Sequence, residues 1–211
     1  MTRDSPLAIV LALTLAVAST AACGSDPAPD DALEGLTREV PLQVGELIVP
    51  EVHADGTERD YSFRARDDGL LFVYFGYTRC PDLCPTTFSD LMAALARLDP
   101  DDAARVDAAF VTVDPDRDTP ETIVRYLGHF VDRGHAVRIT DPALLAATEE
   151  AFGASSTVVT SDDGVVEVSH TSITYVVDPT GAVVVEWPFG VKPPAMANDL
   201  EILLTRLKES T

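Results

Sequence analysis

Residues 70–75 read Leu-Leu-Phe-Val-Tyr-Phe, an unbroken apolar run between Gly69 and Gly76. A strand with one wet face alternates apolar and polar residues, so six apolar residues in succession demand cover on both faces. The chain must therefore build a layered structure around a central sheet. The next segment supplies one cover: Phe88, Leu91, Met92, Leu95 and Leu98 recur at helical spacing, and Pro100-Asp101-Asp102 stops them.

The remaining pattern extends this unit. Upstream, ELIVPEV and Thr57 to Phe63 read as two short strands around a His-Ala-Asp-Gly turn. Downstream, Val106 to Val113 and Ala136 to Ile139 read as strands. Thr119-Pro120 and Asp141-Pro142 open helices, each with a capping residue before a proline at the first helical position. Two further short strands surround Ser-Asp-Asp-Gly. ITYVV and AVVVEW then flank Asp178-Pro179-Thr180-Gly181, which suits a type I turn, and a helix with Leu200, Leu203, Leu204 and Leu207 on one face closes the chain. The order predicts an α/β fold with the thioredoxin-like layout: a mixed central sheet flanked by helices, with an extra N-terminal β-hairpin.

The N-terminus reads differently. Pro6 to Ala22 is apolar and rich in small residues, and ends at Ala21-Ala22-Cys23-Gly24. Residues 1–22 are expected to be a signal peptide of lipoprotein type, with Cys23 the acylated first residue of the mature chain. Residues 23–41, rich in Pro, Asp and Gly, are expected to be a flexible tether, and 42–211 the folded domain. A net charge of −20 argues against nucleic acid as a partner and against adhesion to an anionic surface.

With Cys23 set aside, two of the three cysteines remain, Cys80 and Cys84, in FGYTRCPDLCPTT (residues 75–87). The loop they close is too short to staple a domain. Four positions along a helical turn separate their Cα atoms by about 6 Å, which suits either a disulfide or two ligands for one ion. They lie where a strand gives way to a helix, the usual place for chemistry in such sheets. The helix N-terminus and Arg79 favour thiolate, and Asp82 opposes it. A third ligand decides more. His170, just before ITYVV, is the best placed of four histidines, and two sulfurs with one imidazole suit Cu(I). His53, His129 and His135 read as structural or solvated. Closed zinc sites want four ligands, and cysteine hydrolysis leaves the second thiol unexplained.

FGYTRCPDLCPTT, FVTVDPDRDTPE and SHTSITYVVDPTG, in this order, resemble the Sco (SenC) family of copper-delivery proteins from about residue 42 onward. The resemblance implies copper, as Cu(I) or Cu(II), held by Cys80, Cys84 and His170, with Asp114 near the site. It implies attachment to the extracytoplasmic face of a bacterial cell membrane, here through a lipid. The implied partners are subunit II of cytochrome c oxidase, whose copper A centre the family serves, or a copper donor protein. It leaves open a second role, thiol-disulfide exchange through Cys80 and Cys84 that keeps the copper A cysteines reduced.

Overall fold

The computed structural model describes Met1 and residues 32–209. Beyond Met1, the segment expected to be a signal peptide, Cys23 and the first part of the expected tether lie outside the described residues.

Among the described residues nine strands and five helices follow in chain order: β1 (Ile48–Val52), β2 (Glu58–Ser62), β3 (Leu70–Gly76), α1 (Leu83–Leu95), α2 (Pro100–Ala103), β4 (Val106–Thr112), α3 (Pro120–Leu127), β5 (Gly134–Val137), α4 (Pro142–Phe152), β6 (Ser156–Thr160), β7 (Val166–His170), β8 (Ile173–Val177), β9 (Val183–Pro188) and α5 (Pro193–Glu209). Seven strands form one sheet in the order β2-β1-β5-β4-β3-β8-β9, and β6 with β7 forms a separate hairpin. β3, β4 and β5 run parallel, while β1 and β8 join this core antiparallel. This is the thioredoxin-like mixed sheet with an N-terminal hairpin expected above.

β3 lies near the middle and is buried along its whole length. Leu70, Phe72 and Tyr74 enter one core with Phe88 and Leu91 of α1, Ile123 of α3 and Leu200 of α5. Leu71, Val73 and Phe75 enter the other, with Phe63 and with Phe152 of α4. Successive side chains of a strand point to opposite faces, so the apolar run feeds two cores at once.

Local chemistry sets the element boundaries. The Thr119 hydroxyl accepts the Thr122 N–H at the start of α3, and the Asp141 carboxylate accepts the Ala143 N–H at the start of α4. Between β8 and β9, one oxygen of Asp178 accepts the N–H groups of Thr180 and Ala182, and Gly181 takes φ = 84°. The cysteine helix starts at Leu83.

The C-terminal part of the segment read as a tether lies along the sheet edge. Leu36 bridges Glu186 of β9, and Arg38 pairs with the Glu186 carboxylate. Asp199, fully buried on α5, accepts the N–H groups of Glu34 and Gly35 and the Trp187 indole N–H. The edge strand β9 presents unpaired backbone groups, and this strap covers them.

At the other side of the sheet, Glu51 of β1 is buried. Burial alone would raise its pKa, but hydrogen bonds from His135 and Arg59 outweigh it and lower the carboxyl to about 2. A carboxyl depressed by folding stabilises the fold above its ordinary value of 4.5 and loses that contribution as pH falls toward 2. Glu51→Gln is expected to cost about 2 kcal/mol at neutral pH and progressively less below pH 4.5. Urea denaturation of both proteins at several pH values checks this; a gap that does not narrow in acid contradicts it.

Candidate metal centre

Cys80 lies in the loop after β3, and Cys84 in the first turn of α1. Proline after each cysteine fits this bend: Pro85 falls early in the helix, where a missing N–H costs little. Asp82 is the residue before the helix, yet its side chain caps nothing. The Cys84 N–H points instead at the Cys80 sulfur, 3.4 Å away, so the sulfur occupies the place a capping oxygen would take. Both thiols are free. Cys84 is fully buried and Cys80 is 8% exposed, and only Cys80 lines the open depression above the loop with Tyr77, Asp82, Leu83 and His170.

His170 is the last residue of β7 rather than part of a loop before β8, paired with Ser156 across the hairpin. Its ring sits edge-on to Tyr74 and Tyr77, both at 5.9 Å between centroids. Nδ1 lies 2.9 Å from the Thr171 carbonyl oxygen, which can only accept, so Nδ1 carries the proton. Nε2 then holds a lone pair, and it faces the Cys84 sulfur at 3.8 Å. The ligand atoms of Cys80, Cys84 and His170 all lie within 4.8 Å of one another. Three donors about 2.2 Å from one ion in a plane stand about 3.8 Å apart, so the set approaches three-coordinate geometry and needs a closure of about 1 Å at its widest.

The electrostatics differ from the sequence expectation at one thiol. Burial pushes the Cys84 pKa up, and the hydrogen bond from the Tyr77 backbone only partly counters it. The helix N-terminus and Arg79 do not prevail there. Arg79 is exposed and lines a separate groove with Thr78 and Arg117, away from the sulfurs.

Asp114 is not among the clustered ligands. It is buried, and its carboxylate takes the Arg117 guanidinium at 2.5 Å. The residue that ties this loop to the cysteines is Asp118, four positions on. Its carboxylate, fully buried, accepts the Thr78 N–H at 2.9 Å, the Thr78 hydroxyl at 2.5 Å and the Thr112 hydroxyl at 2.7 Å. Arg138 in turn donates to the Pro115 and Asp118 carbonyls. Sequence reasoning missed Asp118 because three aspartates in VDPDRD look alike until the fold selects one. The other histidines fall as read: His135 on Glu51, His129 exposed, His53 at the β1–β2 turn.

Gly76 was also missed, having served only to mark a strand end. A Cβ there would stand 2.8 Å from the Cys84 sulfur and 3.0 Å from the Phe110 ring. Gly76→Ala is expected to displace that sulfur, costing about 1–3 kcal/mol of stability and weakening metal binding together. Denaturant unfolding and copper titration read the two effects; wild-type behaviour in both would mean the core yields freely.

A sequence model of the SCO1/SenC family matches residues 54–205. An SCO2-like protein of Rickettsia prowazekii is 32% identical over 114 residues, 53% of this chain and 55% of the relative, so the match spans about half of that protein's length. Among solved structures, ScoI of Bradyrhizobium japonicum with copper bound is 29% identical with a TM-score of 0.60, over 75% of this chain and 98% of that one. Apo Sco1 of Thermus thermophilus is 28% identical with a TM-score of 0.63, over 85% and 98%.

Proposed function

This chain belongs to the SCO1/SenC family, and from that premise we propose that it is a copper carrier, taking Cu(I) through Cys80, Cys84 and His170 and handing it to the copper A centre of cytochrome c oxidase subunit II. One observation carries the reading: Nε2 of His170, the lone-pair nitrogen of the neutral ring, faces the Cys84 sulfur at 3.8 Å, with Nδ1 held by a backbone carbonyl. A second-sphere hydrogen bond of that kind fixes the tautomer a metal requires. The donor set of two sulfurs and one imidazole suits a soft ion. The similar ScoI was solved with copper bound. Cys80 and His170 border an open depression, where an incoming partner's ligands can replace them one at a time.

The rest of the reading concerns attachment. Residues 1–22 would be removed and Cys23 acylated, leaving the domain of 42–211 on the outer face of a bacterial cell membrane. Among the described residues no helix is long and apolar enough to cross a membrane.

The test is a titration of the reduced chain with Cu(I) against a competing chelator. About one copper per chain is expected, and none in the Cys80→Ser, Cys84→Ser double variant. Transfer to a soluble copper A domain should then deplete the carrier as the acceptor fills; a carrier that binds but never transfers contradicts delivery.

A second reading rests on the free thiols. Cys80, the more accessible, would attack a partner disulfide as thiolate, forming a mixed disulfide and releasing one partner thiolate. Cys84 would then attack Cys80, releasing the second; the chain ends oxidised by two electrons and the partner reduced by two. Reduction of an oxidised copper A domain that survives His170→Ala but fails in Cys80→Ser favours this role.

A further inference from the structure

The loop that carries Cys80 has two sides. Tyr77 and Cys80 face the depression with His170. Thr78 and Arg79 face another groove, of about 280 Å³, completed by Arg117, Thr122, Arg125, Tyr126 and His129. The chain has 35 acidic and only 15 basic residues, yet three of those 15 meet in this groove and a histidine stands beside them. No acidic residue is among the described residues that line it.

The nearby carboxylates are buried or weakly held. Asp114 is 2% exposed and pairs with Arg117. Asp118 is fully buried and spends its oxygens on Thr78 and Thr112. Arg125 meets Glu121 at 3.3 Å, but both are well exposed, and such a pair is worth little and is easily exchanged. Arg79 makes no ion pair among the described residues. On a chain of opposite overall sign, three guanidinium groups and a histidine gather on this side of the loop.

We propose that this groove docks an acidic segment of a protein partner, with Arg79 and Arg125 as the outer grips and Arg117 at the floor. The shallow, open shape and the exposed guanidinium groups suit carboxylates on an extended chain, since an arginine fork donates to both oxygens of a carboxylate at once. An anionic membrane is disfavoured by the chain's net charge of −20. A segment gripped at Arg79 would be held against the back of the loop that carries Cys80, which places its bearer beside that loop. That this bearer is the protein served there rests on the function proposed above; the groove itself does not.

The probe is a peptide of six glutamates, added at low ionic strength to the full-length, reduced, metal-free chain and followed by amide resonances. Shifts are expected at residues 78–80, 117 and 122–129, and to fade as salt is raised. Arg79→Glu with Arg125→Glu should weaken binding about tenfold or more. Arg97→Glu with Lys192→Glu makes the same change in net charge elsewhere and should lose far less. Equal loss in the two double variants, shifts centred outside the groove, or no saturable binding would each overturn the proposal. Because the probe carries neither metal nor thiol, the result stands whether or not the chain delivers copper.

Discussion

Replacing His170 with alanine is expected to lower copper affinity about a hundredfold or more while leaving the fold intact. The imidazole is the sole non-sulfur member of the clustered ligand set. Without it two thiolates must hold the ion alone, and solvent or a competing ligand enters the vacated position. The structural cost is small, because the ring is half-buried at the end of β7 and its polar contacts are the neighbouring carbonyl and the Cys84 sulfur. Competition with a Cu(I) chelator, beside a thermal melt, separates the two effects. Unchanged affinity would remove the imidazole from the ligand set and leave the dithiol reading in possession of the site.

The second large effect is expected at Asp118. Truncation to alanine leaves the Thr78 N–H, the Thr78 hydroxyl and the Thr112 hydroxyl without their common acceptor, the last of them fully buried. Orphaning buried donors costs about 1–3 kcal/mol each before relaxation, and a total of about 3 kcal/mol lowers the melting temperature of a domain this size by about 10 °C. Asp118→Asn, which keeps one acceptor oxygen, should lie between the two. The loss should also be local: Thr78 stands two residues before Cys80, so amide hydrogen exchange should accelerate at 77–80 and copper affinity should fall without any ligand being removed. A melt that moves while exchange in that loop does not would mean Asp118 supports the domain but not the site.

Asp118 also marks how far a one-dimensional reading reaches. The apolar run at 70–75 told correctly of a strand buried on both sides, and capping residues at Thr119, Asp141 and Asp178 placed two helix starts and a hairpin turn, because these signals act over a few residues. The cysteine pair was equally legible, since its spacing and its place between strand and helix are local facts. Arg79 and Asp82 were visible as charges, but which way a side chain faces in a bent loop is not written in its neighbours. Arg79 turned to the far side, and the Cys80 sulfur took the capping place beside Asp82. The rise in the Cys84 pKa had the same origin: helix polarity is local, but the depth of burial that outweighs it is set by the whole core.

By itself, then, the chain's order of residues determined the layered sheet, the starts of α3 and α4 and the presence of two neighbouring thiols, all through periodicity and short-range hydrogen bonding. Tertiary structure decided which distant groups reach them. Cys84 and His170 are 86 residues apart, and Thr78 and Asp118 are 40. They meet because β8 pairs antiparallel with β3 and the β6–β7 hairpin ends at the carboxyl edge of that sheet, while β4 runs parallel beside β3 and delivers its following loop to the same edge. Strand order is a property of the packed core as a whole, where every element competes for the same buried surface, and no short stretch of sequence contains it.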